Sequence, residues 1–257
     1  MSFLVIMLGL ALPTAPRAQL SLVVLDPGHG GTNQGAPARY HRGRFEKYYT
    51  LVIARRVAER LKKEGVRVVL TRESDRDVSI RERISIANRV GADLFVSIHL
   101  NSTERPGPSG HETFFLALEA TNKAAKRLAD LENEEPSTIR RAAEAPPKDD
   151  AVKDILLDLT RNRSHGDGQR LAELIQERMT PRSPFKNRGV KQAPFYVLMG
   201  AAMPAVVFEG GFLNHPKEGR YVISEAGIEN LADGLALGIL DFGRLVVGPR
   251  KHNGVIP

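Results

Sequence analysis

The sequence predicts an α/β protein: a single domain with a largely parallel central sheet flanked by helices, plus a helical insertion. Three observations predict it. Apolar runs of four or five residues recur at Leu22–Leu25, Val66–Leu70, Leu94–Ile98 and Ala205–Phe208 with little polar alternation, as strands covered on both faces require. Longer stretches between them carry apolar residues at helical spacing. The chain has 257 residues, 42% of them hydrophobic, enough for one sizeable core.

Composition narrows the chemistry. Cysteine is absent, which excludes disulfides, a thiol nucleophile and a Cys-ligated metal, so any metal must sit on His, Asp or Glu. Trp is also absent, which removes a sugar platform built on indole rings. The net charge of +7 suits an anionic polymer, but no dense Lys/Arg run with interleaved aromatics occurs, and no nucleic-acid partner is expected.

Phe3–Leu12 is an apolar run too short to span a bilayer as a helix, and Ala18 follows it. The pattern predicts a secretory signal over residues 1–18, hence export to the periplasm or cell envelope with no integral membrane span. No Lys or Arg precedes the run, so a buried N-terminal strand is the alternative. Residues 19–245 are then the catalytic domain and 246–257 a tail.

Leu22–Leu25 reads as the first strand, stopped by Asp26-Pro27-Gly28, because Pro27 cannot donate to a ladder. His29 therefore stands at a strand's carboxyl end, where open α/β sheets bind ligands, with Gly30 and Gly31 clearing space around it. On this loop alone, a metal-ligating histidine and one that only bonds backbone are equally open. Glu46–Glu64 is an amphipathic helix with Ile53, Ala54, Val57, Ala58 and Leu61 on one stripe, ended by Gly65. Glu46 falls on that stripe in the first turn, and a carboxylate facing a core needs a partner. It complements the helix dipole or it binds a cation.

Val66–Leu70 is the second strand, and Ser79-Ile80-Arg81-Glu82 has the form of a capping box opening a helix that stops at Gly91. Leu94–Ile98 then delivers His99 to the same sheet edge as His29. Two histidines and Glu46 converging there make the three-protein-ligand set of a catalytic zinc, one ion per chain. Gly110–Leu118 reads as a strand, Glu119–Glu135, Ala151–Arg161 and Gly168–Met179 as helices, Pro194–Leu198 and Ala205–Phe208 as strands, and Ile228–Leu245 as a last helix. The last strand runs into Glu209-Gly210-Gly211, a second carboxylate at a strand's end. His41, His165 and His252 lie in polar segments; His111 and His215 are candidates for a supporting or substrate contact, as are Asn101 and Ser102.

The segments LDPGHGGTNQGA, the helix opened by Glu46, TRESDRDVSIRERISIAN, ADLFVSIHLNS, RGVKQAPFYVL and MPAVVFEGGFLNHPKE resemble, in order, the zinc-dependent N-acetylmuramoyl-L-alanine amidases of the amidase 3 type. The resemblance covers about Leu22 to Leu240. It implies zinc on His29, Glu46 and His99, a catalytic glutamate at Glu209, and peptidoglycan as the substrate, cleaved between N-acetylmuramic acid and L-alanine during wall remodelling or daughter-cell separation. PAVVFE stands here where the family usually reads PSVLVE, which changes Ala205 and Phe208 but leaves the carboxylate. The resemblance also implies that the insertion over 119–164 covers the site until an activator protein displaces it, with an acidic group from Leu131–Glu135 reaching the metal. A zinc peptidase acting on stem peptides, and a catalytically silent wall-binding protein, are the rival readings.

Overall fold

A computed structural model describes residues 20–104, 107–142 and 163–247. The expected signal segment 1–18, the helix expected over Ala151–Arg161, His252 and the tail from residue 248 lie outside the described residues, as does the His165 side chain.

Among the described residues a six-stranded sheet forms, in the order β2-β1-β3-β6-β4-β5. Its strands are β1 (Leu22–Pro27), β2 (Arg67–Leu70), β3 (Leu94–Asn101), β4 (His111–Leu116), β5 (Asn187–Ala193) and β6 (Ala205–Phe212). Neighbours run parallel except β4 against β6. The helices are α1 (Glu46–Lys63), α2 (Ile80–Val90), α3 (Lys123–Glu132), α4 (Ser137–Ala142), α5 (Arg163–Met179), α6 (Glu218–Val222) and α7 (Glu225–Phe242).

The period-2 alternation of strands sends successive side chains to opposite faces, and two cores result. On one face, Val96, Ile98, Val206 and Phe208 meet Ile53, Val57 and Leu61 of α1, Leu171 and Ile175 of α5, and Leu235 and Ile239 of α7. Each such fully buried aliphatic side chain stabilises the fold by roughly 1.5–3 kcal/mol. On the other, Phe95, Phe114 and Val207 meet Ile84 and Ala87 of α2, Ala125, Leu128 and Ala129 of α3, and Phe195 and Leu198. The helix ends follow the sequence signals: the Ser79 side chain accepts from Glu82 N, and Gly91 closes α2 in the left-handed region at φ 62°.

One expected element is displaced. Pro194–Leu198 is not a strand; Tyr196–Leu198 is a 3-10 turn, and the strand is the preceding β5. β5 is an edge strand only half-covered along most of its length, so Asn187-Arg188-Gly189-Val190-Lys191-Gln192 carries no apolar run to announce it. The apolar Phe195, Val197 and Leu198 instead plug the second core from a loop.

Candidate metal centre

β1 and β3 are hydrogen-bonded neighbours, with Pro27 paired to Ile98, so His29 and His99 emerge side by side at one sheet edge. Their rings meet edge-on, with centroids 4.8 Å apart. His29 has φ 60°, the left-handed region that a residue with a side chain rarely occupies, and this turns its ring back over the strand ends. The Cβ that a residue other than glycine would carry at position 28 would lie 2.4 Å from His99 Cε1, so Gly28 is what lets the second ring lie flat against the loop.

Glu46 opens α1 and is buried, as its place on the apolar stripe requires. Its Oε2 accepts from Ala36 N at 3.0 Å and its Oε1 from Leu100 N at 3.0 Å. That fixes Oε1 at 3.0 Å from His29 Nε2 and 3.2 Å from His99 Nδ1. A fourth group arrives from the insertion: Glu132, the last residue of α3, sets Oε2 3.4 Å from His29 Nε2 and 3.1 Å from His99 Nδ1.

The donor set fits a divalent cation. His29 Nδ1 faces Asn33 Oδ1 at 2.9 Å, an oxygen that also accepts from Gly35 N, so Nδ1 carries the proton and Nε2 turns a lone pair inward. His29 Nε2, His99 Nδ1 and Glu132 Oε2 are buried and make no hydrogen bond among the described residues. Orphaned atoms of this kind carry a penalty unless something binds them. His29, Glu46 and His99 therefore constitute a candidate single-metal site.

The electrostatics agree. Burial favours a neutral Glu46, but His29 and then His99 outweigh it and hold the carboxyl well below the usual carboxylate range. Burial also works against charge on the imidazoles, yet Glu46 and Glu132 raise His29, and Glu132 and Glu46 raise His99 well above the ordinary histidine value. Two carboxylates around two imidazoles leave a local demand for positive charge, which protons or a metal ion satisfy.

Glu209 sits on β6, paired with His99 of β3 on one side and Glu112 of β4 on the other. Neither of its oxygens has a hydrogen-bond partner among the described residues. Burial pushes its pKa well above that of an ordinary carboxyl, against the pull of His99. It is thus a carboxyl poised to hold a proton beside the cluster. Ala205 and Phe208 leave this arrangement untouched: Phe208 points into the α1/α5/α7 core, on the other face from Glu209.

α3 roofs the site, leaving a cavity of about 20 Å³ lined by His29, His99, Glu132 and Asn133 among others. What holds the roof is partly polar. Asn133 Nδ2 donates to Pro194 O at 2.9 Å and its Oδ1 accepts from Tyr196 N at 2.7 Å, while Glu135 Oε1 accepts from Ile80 N at 2.5 Å.

Of the other histidines, His41 is exposed with Nδ1 on Tyr49 Oη. His111 and His215 do not reach the cluster. His111 bonds Gln176 of α5 on the opposite face, and His215 Nδ1 accepts from Glu218 N at the start of α6. Asn101 Nδ2 donates to Glu112, the cross-strand neighbour of Glu209. Sequence reasoning did not single out Asn33 and Asn133, or Arg72 and Arg83, which hold the β1 loop. Arg72, Arg83 and Asn133 act on backbone 45 to 61 residues away, which only the fold shows, whereas Asn33 acts within its own loop, on His29 and Gly35.

The comparisons with known proteins agree with this geometry. A family model described as N-acetylmuramoyl-L-alanine amidase (Amidase_3) matches residues 23–241. AmiA of Escherichia coli K12, an N-acetylmuramoyl-L-alanine amidase, is 32% identical over 243 residues, covering 93% of this chain and 83% of that protein. The solved N-acetylmuramoyl-L-alanine amidase of Clostridium difficile 630 superposes with a TM-score of 0.65 at 28% identity, covering 87% of this chain and 96% of that one. The CwlD amidase of Clostridioides difficile, solved in complex with the GerS lipoprotein, superposes at 0.63 with 25% identity, covering 86% and 98%. A metal-ready His-Glu-His cluster with a protonatable glutamate beside it, on this sheet and within these matches, makes the chain a member of the N-acetylmuramoyl-L-alanine amidase family, an enzyme of the peptidoglycan cell wall.

Proposed function

We propose that the chain is a zinc-dependent amidase of peptidoglycan, with zinc on His29, Glu46 and His99 and Glu209 as the catalytic acid–base. The observation that carries it is the meeting of His29 Nε2, Glu46 Oε1 and His99 Nδ1 within about a ligand sphere, two of them orphaned, beside the unpartnered Glu209 carboxyl. When bound, zinc supplies Lewis acidity toward an amide carbonyl and lowers the pKa of water toward neutrality. The chain's residues do the rest. Asn33 fixes the His29 tautomer, and the two backbone N–H groups hold Glu46 as a carboxylate. Glu209 takes the proton of the attacking water at a carboxyl oxygen and returns it to the departing amine nitrogen, so that lactyl carboxylate and free L-alanine amine result.

Glu132 is the resting-state block. Its carboxylate lies 3.4 Å from His29 Nε2 and 3.1 Å from His99 Nδ1, where it would compete with substrate for an ion those residues hold, and Asn133 and Glu135 fasten α3 there. Opening calls for a partner protein that displaces α3, in keeping with the CwlD–GerS complex, and suits wall remodelling or daughter-cell separation. Residues 1–18 serve as the export signal, residues 19–245 form the catalytic domain, and the enzyme works in the periplasm or cell envelope; no described helix is long and apolar enough to cross a membrane.

The test uses the full chain carrying Glu132→Ala, because α3 contributes Leu128 and Ala129 to the second core and cannot be deleted without opening it. The zinc-loaded variant is incubated with purified peptidoglycan and the products are identified by mass spectrometry. Stem peptides beginning with a free L-alanine amine, alongside intact glycan, are expected. Shortened stems still attached to sugar would make it a peptidase, and no release would leave a silent binder.

A further inference from the structure

The end of β1 needs explaining. Pro27 is the last residue of β1 and Gly28 and His29 run past it, so at this buried strand end three carbonyls must find donors. Two buried arginines from different elements supply them. Arg72, just after β2, donates from Nε to Pro27 O at 3.0 Å and from Nη2 to Gly28 O at 2.9 Å. Arg83 of α2 donates from Nη1 to Pro27 O at 2.9 Å and from Nη2 to His29 O at 2.8 Å. Thr50 of α1 adds Oγ1 to Gly28 O at 2.9 Å. Three consecutive carbonyls thus receive five hydrogen bonds, and the residue that closes the series is the one at φ 60°.

Charge alone does not account for this. Arg83 pairs with Asp26 at 2.7 Å, whose carboxylate is held low by Arg83, Thr71 and Ser97 against its burial. Arg72, about 1% exposed, hydrogen-bonds to no carboxylate among the described residues: its other bonds go to Ser74 O, Lys47 O and Thr50 Oγ1. Burying a guanidinium against backbone is costly. What the pair provides is shape: a planar fork spans two carbonyls at set spacing, which an ammonium group cannot do.

We propose that Arg72 and Arg83 are positioning residues for the metal site, clamping the Pro27–His29 backbone so that His29 is held in its left-handed conformation with Nε2 aimed at the ion. This rests on the reading of His29 as a metal ligand. Without the clamp the loop relaxes toward ordinary φ, and Nε2 swings away from Glu46 Oε1 and His99 Nδ1. Outer groups of this kind set metal affinity by roughly 10–100-fold.

The test measures zinc affinity directly, by competition with a chromophoric chelator on the metal-stripped full chain, together with the melting temperature of the stripped protein. Arg83→Lys and Arg72→Lys keep the charge and remove the fork; the second also leaves the Asp26–Arg83 pair intact should the first fail to fold. Ser97→Ala is the control, because it loosens the same buried network at Asp26, through a 2.7 Å bond, without touching the loop carbonyls. The expected result is zinc affinity weaker by roughly 10–100-fold in the lysine variants. Ser97→Ala should keep wild-type affinity even where its melting temperature falls as far. Equal affinity in wild type and the lysine variants, or losses that track melting temperature across all three variants, would overturn the clamp. Failure of the wild type itself to bind zinc would overturn the ligand assignment, and the clamp with it.

Discussion

On the proposed blocking role of Glu132, replacing Asn133 by alanine should raise basal activity without touching a proposed catalytic group. Asn133 follows Glu132 directly and fastens the end of α3 to the Pro194–Tyr196 loop through both ends of its amide. Tyr196 is 44% exposed, so water can replace these bonds when they are lost, and each contributes a net value of about 1 kcal/mol. Losing both costs the closed state about 2 kcal/mol, which raises the open fraction about 30-fold at one decade per 1.4 kcal/mol. The apolar contacts of Ala125, Leu128 and Ala129 and the Glu135–Ile80 bond remain, so the domain should stay folded. The assay is dye release from labelled peptidoglycan by the zinc-loaded chain with no partner added, with zinc content and melting temperature measured on the same sample. Basal turnover should rise by about 10- to 30-fold. A folded, zinc-replete Asn133→Ala variant no more active than wild type would refute the reasoning, most sharply if Glu132→Ala were equally silent.

Further outcomes follow from the same geometry. Glu209→Gln removes the proposed acid–base while leaving the three candidate ligand atoms on His29, Glu46 and His99, so zinc content should hold while turnover falls by roughly 10²–10⁴-fold; wild-type turnover would remove Glu209 from the reaction. Gly28→Ala places a Cβ 2.4 Å from His99 Cε1, so the ring must move, and chelator competition should show zinc held at least about tenfold more weakly. Away from the site, burial pushes the Glu218 carboxyl up to about 7 from 4.5, against the Phe212 and Gly110 N–H groups that favour its charge. The folded chain therefore keeps a proton that the unfolded chain releases. The contribution is full below about pH 4.5 and is lost as the pH rises through 7, by at most about 3 kcal/mol. Melting curves at pH 5 and 8 should show wild type losing stability relative to Glu218→Gln; parallel curves would contradict this.

Much of the site was legible in the primary structure because its ligands stand at punctuation. His29 follows a Pro-Gly stop, His99 ends an uninterrupted apolar run, Glu46 opens a helix, and Glu209 precedes two glycines. Each position is set by local rules of strand and helix termination, and a parallel sheet carries strand ends of this kind to a common edge. The edge strand β5 was not legible, since Asn187–Ala193 is largely polar and only pairing with β4 makes it a strand.

What the sequence determined by itself was therefore the fold class, the candidate metal-ligand trio, the second carboxylate and the existence of an acidic insertion. What only the tertiary structure decided was which of the acids in Leu131–Glu135 faces the histidines, and what holds it there. It also decided that Arg72 and Arg83, forty-five and fifty-six residues beyond Pro27, close on its carbonyl. The physical reason is range. Periodicity and capping act over a few residues and leave a trace in the chain, whereas a guanidinium meeting a carbonyl, or Glu132 meeting His99, depends on how helices seat on the sheet.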